Sequence, residues 1–407
     1  MTRAKHPPPT VQQLRGWKYL KRIDKLLKQL HRAGTERDRA GNRQLHFDRY
    51  AMLILLYFFS PALSSLRDIQ RASRLKKIQR VLGIKAPSLG SLSEAAQVFE
   101  ARLLEPVIQE LAEQVAPAPV PAELEALLPL TAVDGSVLPA LPRMAWALWQ
   151  DEQHRAAKLH LEFEVLRAIP VQAKLTAAQA SETTTLRTML APGRIYVLDR
   201  GYAEYALFQD VIDAGGSLIA RVCHNTTWSE VLEERAVSEA AYVAGIRRDL
   251  VVRLGGPRSG RVFNQPLRVV EIETEPANPG DAPGTMLVVT DLLDLAPELV
   301  ALGYRYRWTV ELFFRWLKCI LGCRHLLSTS ENGVTVQVYL AVIASLLLSL
   351  WSGTKPTKAT FTMVNFYLMG WADEEELAEY FDSLKPPARE PPPPRQPDNR
   401  EHLREAL

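Results

Sequence analysis

The sequence predicts an α/β fold: a mixed sheet flanked by helices, with a helical N-terminal domain ahead of it and a β-rich insertion within it. Three observations carry that expectation. The apolar period changes from helical to alternating across the prolines of residues 116–121. Beyond them, strand-like and helix-like segments follow one another. Between residues 226 and 292, Gly and Pro separate several short β-rich pieces.

The N-terminal elements come first. From Thr10 to Arg32, Leu14, Trp17, Leu20, Leu27 and Leu30 recur at helical spacing among Lys and Arg, which predicts a basic amphipathic helix. A buried helix over Phe47 to Phe59 stops at Pro61. Ser64 or Ser65 caps a third helix towards Ser73, short helices continue through Arg74 to Leu82, and Ser91 or Ser93 starts a longer one to Val115. A helix-turn-helix arrangement is one expectation for this unit. The run Ala116-Pro117-Ala118-Pro119-Val120-Pro121 cannot sustain helix and marks a boundary.

Beyond it, Leu130 to Leu138 reads as a strand carrying Asp134, and Lys158 to Leu166 and Ile169 to Leu175 as its neighbours. Ser181 to Leu190 is a helix, Arg194 to Leu198 a strand ending on Asp199, Tyr205 to Ala214 a helix and Ser217 to Val222 a strand. The insertion holds Leu250 to Leu254, Leu267 to Ile272 and Met286 to Thr290. Helices return at Pro297 to Leu321 and Val334 to Trp351, before a proline-rich tail expected to be disordered. The divisions are therefore 1–120 (helical, basic), 121–225 (core, first part), 226–292 (insertion), 293–352 (core, second part) and 353–407 (helical segment and tail).

Composition limits the function. In 407 residues, 47% hydrophobic and 23% charged, the chain has the balance of a globular protein with more than one structural unit. Its longest apolar runs, Ala51 to Phe59 and Leu340 to Trp351, are shorter than the roughly 20 residues of a membrane span. No secretory leader is evident, and three cysteines make no disulfide framework, so a cytoplasmic location is expected. The net charge of +3 hides a segregation: residues 1–100 hold 20 Lys or Arg against 7 Asp or Glu, or +13, leaving −10 for the rest. A basic N-terminal part points to a polyanion, most commonly nucleic acid, although a solvated basic surface has the same composition.

The acidic residues suggest the chemistry. Cutting a phosphodiester calls for an activated nucleophile and for charge neutralisation, which two Mg²⁺ ions held by hard oxygen ligands supply. Asp134 and Asp199 each lie at or near the end of a predicted strand beside a glycine, in Val133-Asp134-Gly135-Ser136 and Leu198-Asp199-Arg200-Gly201-Tyr202. Either, taken alone, reads more readily as a turn residue or helix cap. Tyr304, Arg307, Glu311 and Lys318 stand at offsets of 3, 7 and 14, within a sector of roughly 60° on one helix. An exposed stripe in which Glu311 pairs with Arg307 or Arg315 has the same spacing.

Together, Asp134-Gly135-Ser136, Asp199-Arg200-Gly201-Tyr202 and Tyr304-x2-Arg307-x3-Glu311-x6-Lys318 resemble the signature of the insertion-sequence-four family of bacterial DDE transposases. The resemblance extends through Ala157-Lys158-Leu159-His160 and Ser328-Thr329-Ser330-Glu331-Asn332-Gly333 and spans roughly residues 130–350. It implies a ribonuclease-H-like sheet with a β-rich insertion between the second Asp and the Glu. It also implies that Asp134, Asp199 and Glu311 bind two Mg²⁺ ions, with Mn²⁺ as a substitute, for cleavage at transposon ends and strand transfer into target DNA. The implied partners are terminal inverted repeats, target DNA and a second copy in a synaptic homodimer, with no membrane, so that the cytoplasmic protein associates with the nucleoid when bound.

The same resemblance assigns DNA contacts to Tyr304, Arg307, Lys318 and Arg200, Arg being suited to bidentate phosphate binding. Arg221, at the end of the next strand, is a further candidate, with a surface salt bridge as the alternative. Trp228 or Trp308 could stack on a flipped base; core packing explains either as well. Cys319, Cys323 and His325 are read as packing residues rather than a metal cluster, and Asp291 lacks the Arg-Gly-Tyr that follows Asp199. Rival readings are a repair or junction nuclease on the same fold and an inactive DNA-binding relic.

Overall fold

Strand β4, Ile195–Leu198, is four residues long and buried at every one, the pattern of a strand covered on both faces. Around it the sheet is built. The computed structural model describes residues 18–33, 41–60, 62–115, 120–140, 143–149, 154–256, 261–263, 265–274, 283–319, 326–369 and 371–384. The predicted Leu14 and Trp17 of the first helix, and the proline-rich tail, lie outside them.

β1 (Leu130–Pro139), β2 (Ala156–Glu164) and β3 (Ile169–Ala177) form an antiparallel meander. β4 lies parallel to β1 on one side and to β5 (Ser217–Val222) on the other. The pieces read as an insertion are β6 (Trp228–Glu234), β7 (Ile246–Gly256), the short β8 (Arg261–Val262), β9 (Leu267–Thr274) and β10 (Gly284–Thr290). They are β-rich as expected, but continue the same sheet: β10 pairs antiparallel with β5, and the order is β3-β2-β1-β4-β5-β10-β9-β7-β6, with β8 on β7.

Among the described residues six α-helices precede the sheet: α1 (Lys18–Leu27), α2 (Phe47–Phe59), α3 (Leu66–Ser73), α4 (Lys76–Leu82), α5 (Leu89–Val98) and α6 (Glu105–Gln114). Ser65 caps α3 by accepting from the Asp68 amide. The single helix expected over residues 91–115 is divided, because Phe99 leaves the helical path to stack on Phe47 with centroids 4.9 Å apart. The boundary at the prolines divides the chain but not the core. Ile23, Leu53, Leu92 and Ile108 belong to one apolar cluster with Leu130, Leu161 and Val338.

Within the sheet region lie α7 (Glu182–Arg187), α8 (Tyr205–Asp213) and α9 (Glu239–Val243); α10 (Pro297–Arg305), α11 (Trp308–Cys319), α12 (Glu331–Ser352), α13 (Lys358–Met369) and α14 (Glu374–Ser383) follow. α8 and the aromatic rings of Tyr196 and Tyr202 close one face in a second apolar cluster. α11 and α12 cover the other. Among the described residues α12 alone is long and apolar enough to cross a membrane; most of it is buried, packed by α2, α5, α6 and β3. It is longer than the apolar run that predicted it, since Ser330 caps it by accepting from Gly333.

Candidate active site

Side chains alternate along a strand, so parity assigns each to a face. Ala132 of β1 pairs with Val197 of β4, which pairs with Ile219 of β5, and all three belong to the apolar cluster beneath α11 and α12. Two residues further along stand Asp134 in β1, Asp199 just past the end of β4, and Arg221 in β5. The pattern therefore sets these three in a row across adjacent strands on the face that α11 covers. α11 is held there by Phe313, whose ring lies 5.1 Å from that of Phe163 on β2.

Asp134 is not at the exit of its strand. It sits in the middle of β1, opposite Leu161 of β2. Pairing with β4 has ended at Ala132, so the strand is open on that side only, and this is what lets an Asp occupy a strand interior. Its Oδ1 accepts from the Gly135 amide at 2.8 Å. Asp199 caps the turn of residues 200–202, its Oδ1 accepting from Gly201 at 2.7 Å. A Cβ on Gly201 would come 3.0 Å from that oxygen, so the glycine keeps the turn close to the carboxylate. The remaining oxygen of each Asp has no hydrogen-bond partner among the described residues.

The stripe Tyr304, Arg307, Glu311, Lys318 does not lie on one helix. α10 ends at Arg305, Tyr306 and Arg307 form a turn, and α11 begins at Trp308. α10 is drawn tightly onto β5, where a Cβ on Gly303 would come 2.9 Å from Ile219 Cδ1; a straight continuation along the sheet is replaced by the turn. Arg307 nonetheless donates to Glu311 Oε1 at 2.8 Å. Burial pushes the Asp134 carboxyl up to about 6; the Gly135 amide and Arg307 act against this, and Asp199 and Glu311 add to it. Asp134 thus senses the charge of the other two acidic residues.

Other predicted residues divide. Tyr304 is buried, 8% exposed, and its position backs Arg307 rather than facing solvent. Arg200 is exposed, Arg221 and Lys318 half-buried. Trp308 is 53% exposed, which removes core packing as its explanation, whereas Trp228 opens β6 and packs against the second apolar cluster. Asp291 accepts from the Leu218 amide at 2.7 Å, at the opposite end of β5 from Arg221. Cys319 ends α11, and Cys323 and His325 lie outside the described residues.

Lys158, Glu182 and Tyr202 were not singled out by spacing. Lys158 donates to Glu182 at 2.9 Å directly beside Gly135. Lys158 and Tyr202 fall within the quoted motifs; Glu182 carries no signal beyond opening a capped helix.

Among the described residues no group of three or more His, Cys, Asp or Glu side chains is gathered closely enough to hold a metal ion. The expected three-carboxylate cluster is therefore not closed: Glu311 is turned to Arg307. The donor set still fits a divalent ion. Asp134 and Asp199 offer hard oxygens from adjacent strands, each with one oxygen fixed by its own backbone and one open.

Fold and site together place the chain in a class: a mixed sheet with two aspartates at one level of neighbouring strands, faced by a helix that carries a glutamate. The description Transposase DDE domain matches residues 125–347, more than half of the chain, and the chain belongs to that family. It is 26% identical over 222 residues to "Putative transposase y4zB" of Sinorhizobium fredii, covering 54% of this chain and 60% of that one. It is 26% identical over 243 residues to "Probable transposase for insertion sequence element IS5377" of Geobacillus stearothermophilus, covering 58% and 61%. The chain thus spans about 60% of the length of these curated relatives. A solved piggyBac transposase synaptic complex with hairpin DNA aligns over 98% of this chain and 92% of its own at 8% identity, with a TM-score of 0.45.

Proposed function

We propose that the protein is a DDE transposase that cleaves DNA at transposon ends and joins the ends to target DNA, with Asp134, Asp199 and Glu311 as its ligands for divalent ions. The observation that carries this reading is the row formed by Asp134 and Asp199 on neighbouring parallel strands beneath the helix of Glu311, in a chain of the DDE family. The strand order β3-β2-β1-β4-β5 is that of a ribonuclease-H-like core.

Two Mg²⁺ ions, or Mn²⁺ in their place, would activate the attacking oxygen and neutralise charge at the leaving one. The protein's own part is placement. The Gly135 and Gly201 amides hold one oxygen of each Asp, which orients the other. Arg307, backed by Tyr304, meets DNA phosphate beside the cut; Arg200, Arg221 and Lys318 extend the cationic border. Exposed Trp308 offers a face for a base.

The basic face of α3 to α5, with exposed Arg67, Arg71, Arg74, Lys76, Arg80 and Lys85, is the further grip on double-stranded terminal repeats. Two ends imply a homodimer during the reaction, in a cytoplasmic protein that joins the nucleoid through DNA. Asp134→Ala, Asp199→Ala and Glu311→Ala should each abolish Mg²⁺-dependent cleavage of transposon-end DNA and leave binding intact. Cutting at the wild-type rate by any of the three would remove that residue from the site.

A further inference from the structure

Behind the two aspartates, away from the Glu311 helix, three side chains meet that the proposed ligand set does not use. Lys158 of β2 donates from Nζ to Oε1 of Glu182, the first residue of α7, at 2.9 Å, with 15% and 31% of the two side chains exposed. The pair lies against the backbone of Gly135. A Cβ at that position would come 3.1 Å from both Glu182 Oε1 and Lys158 Cδ, so the residue after Asp134 is the wall on which the ion pair rests.

Tyr202, three residues after Asp199, is 1% exposed, and the acceptor within reach of its hydroxyl is Glu182. A buried hydroxyl needs such a partner, because leaving it unpaired is costly. This one lies where the charges of Glu182, Asp134 and Asp199 all act on it; burial first, and then those carboxylates, hold the phenol well above its usual range. It therefore stays an O–H donor facing Glu182, in the field of Asp134 and Asp199.

We propose that Lys158, Glu182 and Tyr202 are positioning residues that set the separation and orientation of Asp134 and Asp199, and with them the affinity for a divalent ion. This rests on the reading of the two aspartates as ion ligands. Glu182 ties β2 and the start of α7 to the strand of Asp134. Tyr202 anchors the turn that follows Asp199 in the second apolar cluster and presents its donor to the carboxylates. Groups that hold metal ligands in this way commonly contribute tenfold or more to metal affinity.

The test is Mn²⁺ titration of the full chain by calorimetry, with melting temperature and metal-free DNA affinity measured in parallel. Glu182→Gln keeps the shape and removes the charge; Tyr202→Phe removes one oxygen and decides the matter if the first variant does not fold. Each should raise the Mn²⁺ Kd by about tenfold while melting temperature and DNA affinity stay near wild type. Unchanged Mn²⁺ affinity in both variants overturns the proposal, as does a loss fully accounted for by unfolding. If wild type binds Mn²⁺ no better than Asp134→Ala, the aspartates are not the ligands; that failure is distinguishable, and this proposal falls with it.

Discussion

The Arg307 guanidinium donates from Nη2 to Oε1 of Glu311 at 2.8 Å, across one helical turn, with 17% and 32% of the side chains exposed. A solvent-exposed pair at this spacing contributes only a few tenths of a kcal/mol. This pair stands beside Asp134. Burial works against the charged guanidinium, yet the bond to Glu311 and the charges of Tyr304, Glu311 and Asp134 outweigh it and hold Arg307 above its ordinary pKa. Arg307 is thus the counter-ion of Glu311, and a divalent ion bound as proposed would compete with it for that carboxylate.

Removing that competitor gives the first prediction. Arg307→Ala should bind Mn²⁺ about fivefold more tightly, the effect of roughly 1 kcal/mol of lost charge repulsion at a water-like dielectric, and should bind DNA more weakly. Calorimetry and a DNA-binding titration check the two arms. Weaker Mn²⁺ binding by the variant would mean that Arg307 orders the ligands instead of opposing the ion.

Glu162 gives a pH dependence. It is fully buried on β2, and the cation nearest to it, Arg194, is 3.9 Å away. Burial pushes its carboxyl up to about 7, with Arg194 and Tyr196 acting against the rise. Because the folded value lies above the unfolded one, the favourable contribution is present in full below about pH 4.5 and is lost as pH rises through 7. Glu162→Gln should therefore be more stable than wild type at pH 8.5, by at most about 3 kcal/mol at 1.36 kcal/mol per unit, and should gain little at pH 5. Urea unfolding at the two pH values measures this; an equal difference at both would exclude Glu162 as the titrating group.

Local sequence carried the motifs but not their registration. Asp134, Asp199 and Arg221 were each readable beside a strand, yet their alignment in one row depends on the pairing of Ala132, Val197 and Ile219, which no local pattern encodes. Helical spacing of Tyr304 to Lys318 suggested one rod; the chain instead turns at Tyr306 and Arg307, between α10 and α11. Likewise the β-rich pieces were visible from their punctuation, whereas their joining to the main sheet through Val288 and Arg221 is a long-range contact. Long, continuously apolar elements such as α2 and α12 were the most legible, because burial along most of their length leaves few alternatives.

The extension of the sheet contains its own test. Arg268 of β9 and Asp249 of β7 are 2% and 3% exposed and pair through two bonds of 2.8 and 2.6 Å. Arg268 also donates to the carbonyls of Leu293 and Leu295, just before α10. Arg268→Ala leaves Asp249 buried without its cation and should cost about 3–5 kcal/mol. Replacing both, as Asp249→Leu with Arg268→Met, should cost clearly less, since no buried charge remains. Denaturant unfolding of the three proteins checks the ranking; a single variant as stable as the double would show that the pair is not desolvated as its burial implies.

Asn332 joins the N-terminal helices to the sheet region, and its chemistry makes the most discriminating case. Its Nδ2 donates to the carbonyls of Ala96 and Phe99 at 2.9 and 2.7 Å, while its Oδ1 accepts from the Ala101 amide at 3.0 Å. These three backbone groups lie where α5 ends, so helix geometry leaves them needing partners. Asn332→Ala should cost about 2–4 kcal/mol, the penalty for leaving two or more such groups unpaired. Asn332→Asp keeps the size and the acceptor facing Ala101, but turns an anionic oxygen towards two carbonyls and should be at least as damaging. Amide exchange at Ala101 reads the local event: it should accelerate in the Ala variant, whereas in the Asp variant exchange at Ala101 slows relative to Ala while melting temperature does not recover. An Asp variant as stable as wild type would show that the two donated bonds contribute nothing, and that apolar packing alone holds α5 against α12.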